Sequence, residues 1–158
     1  MRRLVLLLVA AAVAAAAAGG GYALASEDAK QAHGTLRSQP LVEGCTSPIG
    51  FCTVGRAMGT IEGDFVFTAN RFVPSDTAGV VLYTGEIVVQ TSRGELRCQD
   101  AGAYNSGELE SGPGPFASLC TITGGTGDWA CVTGHIRIQG TFSLAEGGNS
   151  SYEGLISR

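Results

Sequence analysis

TITGGTGDWACVTGHIRIQGTF, residues 121–142, is the stretch on which the fold turns. Thr121, Ile122 and Thr123 are β-branched and favour an extended chain. Gly124, Gly125 and Gly127 follow, residues that take positive φ or let another backbone come close. Beyond Gly134 the chain alternates. Ile136, Ile138 and Phe142 share a parity with Gly140, while His135, Arg137, Gln139 and Thr141 hold the other. Such alternation predicts a strand with one face buried and one in water. The stretch therefore reads as strand, glycine turn, short irregular crossing and second strand.

Similar runs extend outward on both sides. Residues 141–144, a turn at 146–150 and a last strand at 152–156 finish the chain. Upstream, residues 95–104 and 116–123 predict a hairpin across the loop NSGELESGPGP. Residues 80–91 form the most hydrophobic run and are apolar on both parities near its middle, as in a barrel wall covered by a second subunit or a helix. Gly85 inside that run predicts a bulge or a close backbone approach. Residues 60–73 read as one long strand, with Ile61, Gly63, Phe65, Phe67 and Ala69 on one face. Residues 35–42 offer at most an edge strand because of Pro40, and residues 26–34 read as a polar leader.

The 24 glycines, about twice the usual frequency, are spread through these runs with no G-X-Y period. Roughly six to eight strands punctuated by turns, with no helical period, predict an all-β fold. Glycines inside strands favour coiling and closure, so the expected architecture is a single antiparallel β-barrel of about eight strands over residues 45–158. Residues 26–44 are expected to lead into it.

The start of the chain has a different character. Arg2 and Arg3 precede fifteen residues, 4–18, of only Leu, Val and Ala, followed by Gly19-Gly20-Gly21 and Ala23-Leu24-Ala25. A basic start, an apolar middle and an A-x-A site predict a signal peptide over residues 1–25, cut before Ser26. The rival is an uncleaved anchor, against which the glycine run and the A-x-A site argue. The paired arginines hint at twin-arginine export, though ordinary secretion fits the flanks better. Cleavage removes two basic residues and no acid, so the mature chain is more acidic than the −4 of the whole. With Lys30 its one lysine, it is a poor partner for nucleic acid or for anionic membranes. No second hydrophobic run reaches spanning length, so a soluble periplasmic or extracellular protein is expected.

Five cysteines in an exported chain leave at least one unpaired, and an oxidising compartment favours disulfides. Cys45 and Cys52 enclose the compact turn CTSPIGFC and are expected to pair. A hairpin centred near Leu109 sets Cys98 opposite Cys120 at disulfide spacing. Cys120–Cys131, across the glycine turn, is the rival, and both stay open at this point. On the first pairing Cys131 is the odd thiol, read as buried and structural. No CxxC is present, so neither a zinc site nor a thioredoxin-type site is expected, and no metal or other cofactor is called for. His33 falls in the polar leader and His135 on the polar parity of its strand, which makes both solvated. No G-x-S-x-G elbow occurs, and Asn149-Ser150-Ser151 is a glycosylation sequon of consequence only in a eukaryotic host.

The motif GGTGDWACVTG resembles the glycine-rich signature shared by plant dirigent proteins and allene oxide cyclases. There GG(T/S)G is followed two residues on by an aromatic and seven residues on by glycine. Gly124, Gly125, Thr126, Gly127, Trp129 and Gly134 match at that spacing. HIRIQGTF and the closing Tyr152-Glu153-Gly154 are similar to a secreted bacterial branch of the same barrel. The resemblance covers residues 80–156 and fades before Arg56. It implies an eight-stranded antiparallel barrel with a lumen for a small hydrophobic ligand, often assembled as homotrimers. It also implies activity, where there is any, that shapes a reactive intermediate without a cofactor. Val132, where a small residue is usual, and Cys131 beside it depart from the pattern. No catalytic residue of the family maps onto this chain.

Asp100 shares a parity with Leu96 and Cys98, and Glu86 lies in the most apolar strand. A carboxylate inside a dry barrel would have a raised pKa and serve as general acid or base. The simpler expectation, and the preferred one, is that each meets water or caps a turn. Tyr104 and Trp129 are the candidates for a pocket mouth, with Trp129 the better fit as a plug after its tight turn. Three functions follow: a secreted barrel that binds a small apolar molecule or serves as a stable module, a cofactor-free isomerase or cyclase, and an interaction protein acting through the 45–52 and 105–115 loops. A large lumen holding one buried carboxyl favours the isomerase. A lumen filled by side chains favours the interaction protein.

Overall fold

Eight antiparallel strands follow one another along the chain, and the last pairs with the first. The computed structural model describes residues 29–107 and 112–158, so the expected signal peptide lies outside the described residues. The strands are β1 (Lys30–Pro40), β2 (Cys52–Gly59), β3 (Gly63–Pro74), β4 (Val80–Thr91), β5 (Gly94–Asn105), β6 (Gly114–Gly125), β7 (Thr133–Ser143) and β8 (Gly147–Ser157). Each pairs with its successor, and β1 pairs with β8 from Lys30↔Ile156 to Ser38↔Gly148, so the sheet closes without an edge. The alternation in β7 sets its sides as expected: Ile136 and Ile138 are buried, and His135, Arg137 and Gln139 are exposed.

The barrel begins at Lys30, not at Cys45. The residues expected as polar leader and edge strand form β1, because closure demands a partner for both β2 and β8. Its inward positions are Ala32, Gly34, Leu36 and Ser38, too small and too mixed to look amphipathic. Pro40 is the last residue of the strand, where a missing N–H costs little. The long strand expected over residues 60–73 is observed as β3, three residues shorter at its start. Residues 52–59 form β2, residues 60–62 turn the chain, and β3 starts at Gly63.

An eight-stranded barrel encloses just enough room for side chains or for one small ligand. Here the two ends differ. At one end lie the 60–62 and 92–93 turns and the crossing from β6 to β7. That crossing contains a single 3₁₀ turn, Gly127–Trp129, which drops Trp129 across the opening at 3% exposure. The Trp129 indole N–H donates to Thr91 Oγ1 at 2.9 Å, and the Arg93 guanidinium covers its ring at 4.8 Å. Beneath it pack Ile61, Leu96, Ile122, Val132, Ile136 and Tyr152. The Tyr152 hydroxyl accepts from the Ile61 N–H (2.8 Å) and donates to the Ile61 carbonyl (3.2 Å). Both outer ends of the barrel strands, Lys30 and Ser157, are at this plugged end.

The glycine motif builds the plug. Gly127 has φ +58° and sits so near the Arg93 carbonyl that a side chain is excluded, and the Asp128 N–H donates to that carbonyl at 2.9 Å. Thr126 ties the crossing to β5 twice, its N–H to the Glu95 carbonyl (2.8 Å) and its hydroxyl accepting from the Glu95 N–H (3.0 Å). Cys131 is exposed, contrary to the buried thiol expected, because Trp129 and Val132 on either side take the inward positions.

Disulfides join Cys45 to Cys52 and Cys98 to Cys120, each with Cα atoms 5.6 Å apart. Cys98 and Cys120 are not directly opposed. Asp100 pairs with Cys120 and Cys98 with Ile122, so the hairpin centre lies one residue beyond Leu109 and the bond crosses a diagonal. A register slip between Arg97 and Cys98 accompanies it. Replacing Cys98 and Cys120 by serine is expected to cost about 3 kcal/mol from the longer loop, and replacing Cys45 and Cys52 about 2 kcal/mol. Urea denaturation of the two double variants checks the order, and equal losses would contradict it.

Candidate functional site

The end opposite Trp129 is open. A cavity of about 250 Å³ runs down from it, lined by all six phenylalanines of the chain together with Tyr83 and Tyr104. Five rings form a closed circuit. Phe51 meets Phe72 at 5.6 Å between centroids, Phe72 meets Tyr104 at 5.6 Å, and Tyr104 meets Tyr83 at 6.2 Å. Tyr83 then meets Phe67 at 5.8 Å, and Phe67 returns to Phe51 at 6.4 Å. Most of these contacts are edge-to-face or tilted, the arrangement that aromatic quadrupoles favour.

Local features of the sequence put each ring there. The β3–β4 register slips between Ala69 and Arg71, so that Phe72 pairs with Tyr83 on the inward side. Without the extra residue the alternation would aim Arg71 inward, and a bulge that re-aims a side chain is a common device. Phe51 precedes β2 and is held by the Cys45–Cys52 loop. The Phe51 carbonyl accepts from the Ala69 N–H (3.0 Å), and Ser47 Oγ donates to the Ala69 carbonyl (2.5 Å). Inward glycines make room for the rings. Phe67 lies over Gly85, Phe65 over Gly55 and Tyr83 over Gly102, each so close that a Cβ would collide. Gly85, beside the β3 bulge, thus has the close neighbour its place in the sequence predicted.

Asp100 reaches the cavity from β5 and is 4% exposed. Asp100 Oδ1 and Ser118 Oγ are buried without hydrogen-bond partners. Burial lifts the Asp100 carboxyl from its ordinary 3.8 to about 6, although the nearby Ser118 and Tyr83 hydroxyls pull it down. The Tyr83 phenol is pushed up, first by burial and then by the Asp100 charge. Burial also raises Tyr104. Among the described residues, Asp100 is the only charged side chain lining the cavity, and no group of three or more potential metal ligands occurs.

The sequence candidates part company here. Asp100 and Tyr104 line the cavity, whereas Glu86 and Trp129 do not. Glu86 is on the outer face of β4, 3.6 Å from Arg97, because Tyr83, Gly85, Ile87 and Val89 take the inward parity. Trp129 and the glycine motif lie at the plugged end, so the motif itself does not line the lumen. His33 and His135 are exposed, His135 Nδ1 lying 3.1 Å from Thr121 Oγ1. Sequence reasoning missed Ser118, Tyr83 and the ring circuit. A signal existed for Tyr83, whose parity matches that of Ile87 and Val89.

No protein-family model, curated protein or solved structure matches the chain.

Proposed function

We propose that the barrel binds one small, largely apolar molecule in its lumen, with Asp100 and Ser118 as the polar point that orients it. The observation that carries this reading is an aromatic-lined cavity of about 250 Å³ joined to two buried polar atoms without partners. Small-molecule sites have that make-up, a mostly apolar wall with a few placed polar groups. A buried polar atom left without a partner costs roughly 1–3 kcal/mol, and a ligand with a complementary group removes that cost. The resemblance of residues 80–156 to the dirigent and cyclase barrels supports the same use of the lumen.

A second reading, a cofactor-free isomerase or cyclase, is favoured by Asp100 itself. A buried carboxyl with a pKa of about 6 is suited to take up and return a proton near neutral pH. The binding reading comes first because one acid–base group typically contributes only about 10²–10⁴-fold in rate. The described lining also holds no basic side chain to stabilise a developing anion.

The neutral dye N-phenyl-1-naphthylamine, which brightens in apolar surroundings, tests the lumen. The protein is expected to bind it in a one-to-one complex. Ser150→Phe, which projects a ring into the cavity, should weaken binding about tenfold or more with an unchanged circular dichroism spectrum. Equal binding by this variant would place the dye outside the lumen and overturn the proposal. Chemistry, if the lumen performs any, would appear as a supplied ligand recovered as its isomer, with Asp100→Asn returning it unaltered.

A further inference from the structure

We infer that the lumen takes an apolar amine in its ammonium form, with the cation on Asp100 and the hydrocarbon or aryl body among the aromatic rings. This inference rests on the lumen being a binding site and specifies the ligand that suits it.

Four observations converge on a cation. The first is the carboxyl group. Asp100 Oδ1 has no partner at hydrogen-bond distance although the Ser118 and Tyr83 hydroxyls are nearby, and no lysine, arginine or histidine among the described lining residues balances its charge. An anionic ligand would meet repulsion there. A neutral hydroxyl would supply a hydrogen bond but leave the charge uncompensated, whereas an ammonium ion supplies both. Buried charges are tolerated when paired and hydrogen-bonded.

The second is the wall. The faces of aromatic rings attract organic cations, which aliphatic side chains do not. Tyr83 belongs to the five-ring circuit and is also the ring that the Asp100 charge acts on, so carboxyl and rings form one continuous site. Along β5 the inward positions run from Asp100 through Gly102 to Tyr104, a rise of roughly 13 Å. A molecule the length of a phenylalkylamine spans most of that depth.

The third is the β3 bulge, which places Phe72 in the lumen and leaves Arg71 exposed on the outside. A cation that the regular alternation would have aimed at the site is thereby kept out of it. The fourth is the charge around the mouth. The four connections at the open end carry Glu43, Asp76 and Glu146, and no lysine or arginine among their described residues. The contacts of Arg56 with Glu62 and Asp64, and of Arg158 with Asp128, lie towards the plugged end. Arg37 and Arg71 lie below this rim on the outer wall, so the acidic charge is confined to the loops at the opening, where over a low-dielectric cavity it favours a cation.

Calorimetric titration at pH 7.5 with three probes sharing a phenyl body tests the inference: 3-phenylpropylamine, 3-phenyl-1-propanol and 4-phenylbutanoate. The amine is expected to bind about tenfold tighter than the alcohol, and the carboxylate weakest. Asp100→Asn should collapse the amine-to-alcohol ratio to about one, and Phe72→Leu should lower it in part. An alcohol bound as tightly as the amine, or a ratio that survives Asp100→Asn, overturns the cationic class and leaves the lumen as a site for neutral molecules. Failure of all three probes while N-phenyl-1-naphthylamine still binds has the same meaning. Failure of every probe, dye included, overturns the binding reading as well.

Discussion

Asp100→Asn is expected to stabilise the free barrel by about 2–3 kcal/mol at pH 7.5 and by little at pH 4. The folded carboxyl titrates at about 6 and the unfolded one at its ordinary 3.8, so between these values the folded chain binds the extra proton. Stability contributed by that proton is fully present below about pH 4 and is lost as pH rises through about 6. Two units of separation correspond to about 3 kcal/mol, an upper figure here because the asparagine must also be accommodated. Its amide offers Ser118 Oγ a donor, which that oxygen lacks. Comparing variant and parent by urea denaturation at each pH cancels the titration of every other carboxyl. An equal difference at the two pH values would show that Asp100 is not held in a charge-excluding site, and a loss at pH 7.5 would show that its ionised form has partners.

Trp129→Ala should cost about 3–5 kcal/mol, the range for deleting a buried aromatic. The side chain is 3% exposed, and its removal opens a void above Ile61, Leu96 and Val132 and deprives Thr91 Oγ1 of its indole partner. Arg93 also loses the ring it covers. Trp129→Phe keeps part of the packing and should cost less. Thermal and urea unfolding of both variants measure the effect. A loss below about 1 kcal/mol for the alanine variant would mean that the plug is dispensable.

What could be read from the residues depended on how strongly each strand contrasts its two faces. β7 sets isoleucine against arginine, histidine and glutamine, so its inward side was plain. β1 sets alanine, glycine and serine inward against histidine, threonine and arginine outward, and a pattern of small against polar looks like a loop. β2 has the same weak contrast, since Thr53, Gly55 and Ala57 face the interior. Glu86 was a plausible lumenal residue only because Val88, its neighbour in parity, is also apolar; both point outward. Asp100 does not meet water, contrary to the preferred expectation: it is 4% exposed, because the parity it shares with Leu96 and Cys98 faces the lumen. The aromatic circuit was out of reach. Its members come from β3, β4, β5 and the loop before β2, and the position of Phe72 depends on a bulge that shifts parity by one residue.

The chain enters and leaves the barrel at the Trp129 end, where Lys30 faces Ile156. A tether through either terminus, whether a surface, a fused domain or a membrane, therefore holds the molecule by its sealed base and presents the mouth outward. Retention of the leader as an anchor and release by cleavage would leave ligand access the same. An immobilised sample should report the same lumen as the free one, and a sensor coupled at Arg158 need not obstruct what it detects.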